Sequence, residues 1–309
     1  MKLQKNHIVF ACAMLLIAGI AFFASSNATQ VIAQGQKEEA PSLDVVENAN
    51  DPAIQMGLVP HKALYGIELA SKKSGSQIVN INGQMFYDWS SGCEGWNSNH
   101  RFNLLYEYAD TPPMKITSDF STYETFDGEN LNFTSQRKRN GELFEELRGI
   151  AHMSEEVQKA IYSMPEGLEF DLPPGTLFPM RHTMDVVEKL KSGQKFFKAT
   201  IFDGSDEDGP LEINAFIGKR AEISEAVMQN ENIDGALLEN NAWNVQLAFF
   251  PMTSETAAAD YEMKLTFHEN GVISQMFVDY GDFSVSQNLI ALEAVPQNGC
   301  MDLKESETQ

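Results

Sequence analysis

The feature that most constrains the fold of this chain is a series of short segments, from about Pro60 onward, in which apolar and polar residues alternate. Alternation with a period of two is typical of strands that bury one face. Turn-forming pairs such as Asp127-Gly128, Asn140-Gly141 and Asn270-Gly271 separate several of these segments, and Asn82-Gly83 predicts a further hairpin turn within 77–89. The predicted strands span 61–71, 77–89, 101–108, 115–126, 131–139, 143–153, 157–163, 195–202, 211–219, 242–251, 261–268, 271–280 and 283–292.

One segment has a convincing helical pattern. Pro179 suits the first turn of a helix, and Met184, Val187 and Leu190 recur at helical spacing. Ser192-Gly193 ends the run. Because strands and helices do not alternate along the chain, the pattern excludes a parallel-sheet nucleotide fold. It predicts a mainly β protein, an antiparallel barrel or a strongly curved sheet with one or few short helices.

The first 28 residues have the pattern of a secretory signal peptide. Lys2 and Lys5 precede an apolar run over 8–23, and cleavage is predicted after Ala28, with Ala33 as a second option. The alternative is an uncleaved membrane anchor, but the apolar run is shorter than a comfortable membrane span. We therefore expect a periplasmic protein with no transmembrane span after signal cleavage.

The remaining chain divides by composition. Residues 29–59 are polar and have no sustained apolar period, which predicts a disordered leader. Residues 60–302 form the predicted β domain, and 303–309 a polar tail.

The charge of the chain excludes one class of partner. With 22 basic and 44 acidic residues the formal net charge is -22. Such a surface repels phosphate backbones and anionic lipid head groups, so we expect no nucleic-acid binding. Solubility is the simplest interpretation, and a cationic partner or divalent cations are the alternatives.

Two cysteines remain once Cys12 is assigned to the signal peptide. A disulfide between Cys93 and Cys300 would close a loop long enough to stabilise the fold by about 5 kcal/mol on the chain-entropy model, and export permits such a bond. The alternatives are two buried or free thiols, or a catalytic thiolate for which His100 is the nearest histidine in sequence.

Motifs of catalysis and metal binding are absent from the sequence. It has no His-Glu-x-x-His, no Gly-x-Ser-x-Gly and no phosphate-binding loop. The acidic segment 203–209 resembles a calcium loop, but Asp208 occupies the glycine position and Asn214 the closing acid position, so a solvated turn is predicted. Glu145 and Glu146 are predicted to lie at an exposed strand edge. We expect no catalytic residue, no metal site and no cofactor.

Several short motifs, in order along 60–300, resemble the EipB family of cell-envelope integrity proteins. The residues that carry the resemblance are His61 to Tyr65, the Cys93, Glu94, Gly95 and Trp96 stretch, Arg101, the stretch from Gly175 to Thr183 with Phe178, Pro179 and His182, Phe202 to Ser205, and Cys300.

This resemblance implies a periplasmic protein whose long antiparallel sheet winds into an open β-barrel, or β-spiral. It also implies that a disulfide joins Cys93 to Cys300. The implied role is maintenance of the cell envelope, with a periplasmic tetratricopeptide-repeat protein as partner and no established catalytic activity.

Two function classes follow for the chain. The first is a protein that supports the envelope through protein contact. The second is a carrier or chaperone for a lipid or lipoprotein, with an apolar groove in an incompletely filled barrel. A hydrolase of envelope polymers is a third class, for which no motif is present. The simplest prediction for several phenylalanines is that they are core residues, and some of them would line such a groove: Phe178, Phe196, Phe197, Phe249, Phe250 and Phe267.

Overall fold

The computed structural model describes residues 50–252 and 258–296. The strands are β1 (His61–Lys72), β2 (Ile78–Ser91), β3 (Gly95–Tyr108), β4 (Met114–Thr125), β5 (Asn130–Arg139), β6 (Glu142–Met153), β7 (Gln158–Met164), β8 (Glu169–Asp171), β9 (Phe196–Ile201), β10 (Leu211–Arg220), β11 (Ala242–Pro251), β12 (Tyr261–His268), β13 (Ile273–Asp279) and β14 (Phe283–Ala294). The helices are α1 (Pro52–Met56), α2 (Pro179–Ser192) and α3 (Glu225–Met228), with a 3-10 turn at Gly235–Leu238.

All fourteen strands belong to one antiparallel sheet. Its order is β8-β7-β6-β5-β4-β3-β2-β1-β14-β13-β12-β11-β10-β9. The first and last strands of the chain, β1 and β14, pair with each other in the middle of the sheet. Strands β8 and β9 form its two edges and do not pair with each other, so the sheet is open. The predicted mainly β fold is confirmed.

The sheet buries one face, as the alternation in the sequence predicts. In β1 the odd positions from His61 to Ile67 are buried and the positions between them are partly exposed. The buried face packs against α2, whose own buried side chains include Met184, Val187 and Leu190. Pro179 occupies the first turn of α2, and Gly193 ends it in the left-handed conformation (φ 76°). The helix that the sequence predicts is therefore present.

A second, smaller core cluster lies under β4 to β8. Phe133 contacts the rings of Tyr162 and Phe202 at centroid distances of 4.9 and 5.7 Å. Phe178, which directly precedes α2, is fully buried in the same cluster. The start of α2 is thereby fixed to this half of the sheet.

Strand β2 differs from the prediction, because it runs without a turn through Asn82-Gly83. Gly83 pairs with Ile67 of β1 on one side and Leu104 of β3 on the other. A Cβ at Gly83 would lie 2.2 Å from the carbonyl oxygen of Asn103. The glycine permits a close approach of two strands instead of a turn, so the predicted hairpin was wrong. Asn140-Gly141, in contrast, turns the chain with positive φ at both residues (52° and 89°).

The structure also differs at the end of the predicted leader. The carboxylate of Asp51 caps α1 by accepting from the N–H groups of Ala53 and Ile54, at 2.7 and 3.3 Å. Asp51 and Ala53 are fully buried. The ordered domain therefore begins before residue 60. The signal peptide, residues 29–49 and the 303–309 tail lie outside the described residues and stay predictions.

Within 50–252 and 258–296, no helix combines the length and the apolar composition that a membrane span requires.

Candidate functional site

A cavity lies between α2 and the inner face of the sheet. Its volume, counted over the positions that the centre of a water molecule can occupy, is about 110 Å³. Strands from both halves of the sheet contribute side chains, and α2 forms one wall. The polar or aromatic lining residues include His61, Tyr65, Tyr87, Ser98, His100 and His182, and the apolar ones include Met180, Val186, Val245, Leu247, Phe249 and Met263.

Three histidines line this cavity from three different elements: His61 from β1, His100 from β3 and His182 from α2. The ring of Tyr87 packs edge-on against His61 and His100, at centroid distances of 5.0 and 6.1 Å. His100 also packs edge-on against Phe120, at 5.0 Å. The imidazoles on the sheet are therefore held within a row of rings.

The hydrogen bond of His61 fixes its tautomer. Its Nδ1 lies 2.7 Å from the carbonyl oxygen of Val59, and because a carbonyl oxygen only accepts, Nδ1 carries the proton. The Nε1–H of Trp89 lies 3.2 Å from the same nitrogen, so the shorter contact with Val59 decides the tautomer. Nε2 of His61 is left as an acceptor. It is buried and has no partner among the described residues, and the same holds for Nε2 of His182.

The cavity is electrically neutral. Loss of hydration on burial lowers the pKa of His61 and of His182 to about 4, and it lowers the pKa of His100 well below its ordinary value. The three imidazoles are therefore uncharged near neutral pH. No lysine, arginine, aspartate or glutamate of the described chain is among the lining residues.

Two of the sequence motifs meet at the start of α2. The carboxyl group of Glu124 on β4 accepts from the backbone N–H groups of Met180 and Arg181, at 2.7 and 2.9 Å, and so caps a helix whose own N-cap residue, Phe178, supplies no side-chain bond. Gly95 packs on the backbone of Glu124, where a Cβ would lie 2.3 Å from the carbonyl oxygen. The structure therefore brings Gly95 beside Pro179, the first residue of α2, through Glu124.

The rest of the Cys93 to Arg101 stretch has several surroundings. Trp96 is fully buried, and its Nε1–H donates to the capping carboxylate of Asp51 at 2.9 Å, which holds α1 on the sheet. Cys93 and Glu94 are exposed in the connection between β2 and β3. Arg101 donates to Asp119 at 2.5 Å in a partly exposed ion pair. Of Cys93, Glu94, Gly95 and Trp96, only Gly95 and Trp96 are buried.

The acidic segment 203–209, here called the acidic loop, is only partly the solvated turn that the sequence predicts, because Glu207 and Asp208 are exposed but its first residues are not. Asp203 and Ser205 are buried, and Arg137 donates to the carbonyl oxygen of Ser205 at 2.6 Å. Gly204 lies against the ring of Phe133, where a Cβ would be 2.3 Å from the ring. Arg137 of β5 satisfies a carbonyl oxygen of the loop, and Gly204 allows the loop to approach the ring of Phe133 closely. These two contacts explain why part of the loop is buried against β5.

Glu145 and Glu146 are also placed differently from the prediction. They lie on β6, which is an interior strand between β5 and β7. Glu145 accepts from Arg137 at 2.5 Å, and Glu146 accepts from Gln136 and Arg148. Cross-strand partners, which a single sequence does not reveal, explain these carboxylates.

The pairing of Cys93 with Cys300 stays a prediction, because Cys300 lies outside the described residues. His61 pairs with Ala294 of β14, and the next residue, Lys62, pairs with Asp88 of β2. The chains leading to the two cysteines therefore leave the sheet at the same end, two strands apart.

Sequence reasoning missed the role of the histidines. It named His61 and His182 only as motif residues and His100 only as the histidine nearest to Cys93, whereas the three share one cavity. The available signal was their position in the alternation: His61 and His100 occupy inward-facing positions of β1 and β3. In the described part of the chain, no cluster of three or more histidine, cysteine, aspartate or glutamate side chains has the arrangement of a metal site.

The fold and these motifs coincide with a known family. The family model described as EipB-like matches residues 52–296, which include α1 and all fourteen strands. The chain belongs to the EipB-like family. Its match begins at the first residue of α1, eight residues before the boundary that the sequence predicts.

Relatives of this EipB-like protein come from Brucella abortus. A cell envelope integrity protein, EipB, of strain 2308 is 30% identical over 249 residues, covering 79% of this chain and 87% of the relative. A crystal structure described as a beta-barrel-like protein of a domain of unknown function matches with a TM-score of 0.72 at 29% identity. It covers 77% of this chain and 99% of that chain. The resemblance stated from sequence motifs is therefore confirmed.

Proposed function

We propose that this protein helps to maintain the integrity of the cell envelope by binding a protein partner in the periplasm. The name of its Brucella abortus relative supports the envelope role. The observation that carries the contact is an exposed aromatic pair at the open edge of the sheet. Phe196 of the edge strand β9 is 59% exposed, and Phe216 of β10, its partner in register, is 54% exposed.

The edge of β9 is only half covered. The N–H of Leu177 donates to the carbonyl oxygen of Thr200 at 2.8 Å, and the N–H of Phe202 donates to the carbonyl oxygen of Leu177 at 3.0 Å. This cover lies at the C-terminal end of β9, whereas Phe196 begins the strand. Near Phe196 the side chain of Gln194 donates to the carbonyl oxygen of Phe196 at 3.0 Å, but no strand of the described chain pairs with this edge. A strand edge without a neighbouring strand, beside two exposed aromatic rings, is a favourable surface for another chain.

The other edge of the sheet is a weaker candidate. Strand β8 has three residues, and two of them, Glu169 and Asp171, are exposed carboxylates. Short, charged edge strands are a common way of discouraging association. The contact is therefore assigned to β9, and its partner is the tetratricopeptide-repeat protein that the family resemblance implies.

The test captures periplasmic proteins on the mature chain. Phe196→Ser combined with Phe216→Ser should abolish recovery of the repeat protein, whereas Phe144→Ser should not. Phe144 is a matched control, since it is 44% exposed but lies on the interior strand β6. Equal recovery of the repeat protein by the wild type, the double variant and Phe144→Ser would overturn the proposed contact.

The role of the cysteines in this proposal is structural. A Cys93 to Cys300 disulfide would hold the β2–β3 connection to the chain that follows β14. Cys93→Ser should therefore accelerate proteolysis of the mature protein under oxidising conditions, because the unfolded chain loses its cross-link. Unchanged proteolysis would contradict a structural disulfide.

A second candidate function is a carrier or chaperone for a lipid or lipoprotein, and the cavity favours it. Its lining is mainly apolar and it contains buried imidazole nitrogens without partners. Extraction and mass spectrometry of lipids from the captured protein test this candidate. Stoichiometric lipid would support a carrier, and a repeat protein without lipid would support the protein-contact function.

A further inference from the structure

The charge of the cavity lining selects among amphiphilic ligands. The described lining residues include no acidic side chain, no lysine and no arginine, and burial keeps the histidines neutral. A carboxylate or phosphate placed there would lose its hydration without an opposite charge to compensate, which costs several kcal/mol. The interior therefore rejects charged head groups.

The lining also provides hydrogen-bonding atoms that have no partner. Nε2 of His61 and Nε2 of His182 are both buried and unpaired within the described chain. A buried polar atom left unsatisfied destabilises the fold, and native proteins rarely keep two of them in one place without a reason. Because Nδ1 of His61 donates to Val59, its Nε2 requires a donor from the ligand.

The two rings belong to opposite walls of the cavity. His61 is on β1, at the middle of the sheet, and His182 is on α2, two residues after Met180 whose N–H binds Glu124. The helix wall is therefore positioned by a fixed cap at its N-terminal end. A ligand between α2 and the sheet would have apolar side chains along most of its length and an imidazole nitrogen on either side.

We propose that the cavity binds an uncharged amphiphile in which an alkyl chain carries a hydroxyl or amide N–H group that donates to His61 or His182. This inference rests on the carrier candidate and names its ligand class. Monoacylglycerols and N-acyl amides have this chemistry. Fatty-acid anions and phospholipid head groups do not.

The first test compares ligands that share a dodecyl-length chain: monododecanoylglycerol, dodecanoate and dodecylphosphocholine. Each is titrated below its micelle concentration, at neutral pH, into the mature protein loaded with a fluorescent apolar probe. The monoacylglycerol should displace the probe at a concentration at least about tenfold lower than either charged ligand. Equal or tighter binding of dodecanoate, or displacement by none of the three, would overturn the inference.

Variants place the ligand in the cavity. Val186→Trp should abolish binding of both probe and monoacylglycerol, because Val186 is a buried lining residue of α2. His182→Leu should weaken the monoacylglycerol about tenfold and leave the apolar probe unchanged. Val79→Ser, a change at a residue that is 50% exposed on β2, is the control and should bind both like the wild type.

Each variant is first checked by its thermal unfolding. If a folded His182→Leu protein and a folded His61→Leu protein both bind the monoacylglycerol like the wild type, the assigned hydrogen bond is wrong. This result is separate from the edge contact at β9. A protein that binds monoacylglycerol but captures no repeat protein keeps this inference and loses the proposed contact, and the opposite outcome overturns this inference alone.

Discussion

The cavity and the acidic loop both bury titratable side chains in one sheet, but they do so in different ways. In the cavity, His61 and His182 are neutral, and their Nε2 atoms have no hydrogen-bond partner within 50–252 and 258–296. In the acidic loop, Asp203 is buried beside a guanidinium, that of Arg137, which also binds Glu145. The first region can give its unused polar atoms to a ligand, whereas the second uses its polar atoms to hold the protein together.

The largest expected effect comes from removing the guanidinium of Arg137, which lies on β5 and contacts the acidic loop. Arg137→Met leaves Glu145 without its cation and the carbonyl oxygen of Ser205 without its donor, both in a region where the arginine side chain is only 7% exposed. Breaking a buried pair by removal of one partner typically costs about 3–5 kcal/mol. Urea unfolding at neutral pH measures this loss. A loss below about 1 kcal/mol would contradict the distinction between the two regions.

The two regions should respond to pH with opposite signs. The pKa of His182 is lowered to about 4 in the folded protein, so its contribution to stability is present above its ordinary value of 6.5 and is lost as the pH falls through about 4. Burial raises the pKa of Asp203 to about 6 and that of Asp206 to about 7. Their contribution is present below the ordinary value of 3.8 and is lost as the pH rises through 6 to 7.

Single substitutions separate the pH dependence of stability that comes from His182 from the one that comes from Asp203. His182→Leu should remove up to about 3 kcal/mol of the acid-induced loss of stability, and Asp203→Asn should flatten the opposite slope. The measurement is the free energy of unfolding in urea across the range from mildly acidic to neutral pH. Parallel profiles for wild type and His182→Leu would mean that the imidazole is not held neutral by burial.

A medium effect is expected where the cavity wall is anchored. Glu124→Gln places an amide NH₂ group opposite a backbone N–H of α2, so one of the two cap bonds is lost at a cost of about 1–2 kcal/mol. Burial raises the pKa of Glu124 to about 8, so its contribution is lost as the pH rises through that value, and this dependence should vanish in the variant.

The control for that variant is Glu129→Gln, a change at an exposed carboxylate that follows the same strand. It should leave the urea midpoint at neutral pH unchanged. A Glu124→Gln protein with the wild-type midpoint and the wild-type alkaline profile would show that the cap does not stabilise the helix.

The smallest effect is expected at an ion pair of neither region. Arg101 and Asp119 retain side-chain exposures of 34% and 42%, and pairs of this kind contribute at most about 1 kcal/mol. Arg101→Met should therefore shift the urea midpoint little, and it provides the arginine control for Arg137→Met. Similar losses for the two arginines would erase the contrast between buried and exposed pairs.

The sequence was sufficient to predict most of the strands, because each inward face repeats every second residue. It was also sufficient for α2, where the spacing of apolar residues agrees with Pro179 and Gly193 at the ends. It failed at Gly83, since a glycine that lets strands approach closely has the same sequence signal as one that turns a chain.

The site was less accessible to sequence reasoning. Whether Asp203 is solvated depends on Arg137, which is 66 positions away along the chain. Whether His182 and His61 line the same cavity depends on how the sheet curves around α2. Neither the burial of Asp203 by Arg137 nor the shared cavity of His182 and His61 can be predicted from the residues next to them in sequence. The motifs that carry the resemblance include Gly95 and Pro179, but Glu124, which contacts Gly95 and caps α2, was outside every motif.

The pairing of β1 with β14 has a consequence for how the chain acquires its structure. Both strand series, β1 to β8 and β9 to β14, consist of hairpins between neighbours in sequence, whereas the central pairing joins residues such as Lys62 and Glu293, separated by 231 positions. This contact is slow to form because it closes a long loop. A chain cut before α2 would consist of two separate meanders. They should reassemble through the pairing of β1 with β14, together with the contacts of Glu124 with α2 and of Arg137 with the acidic loop.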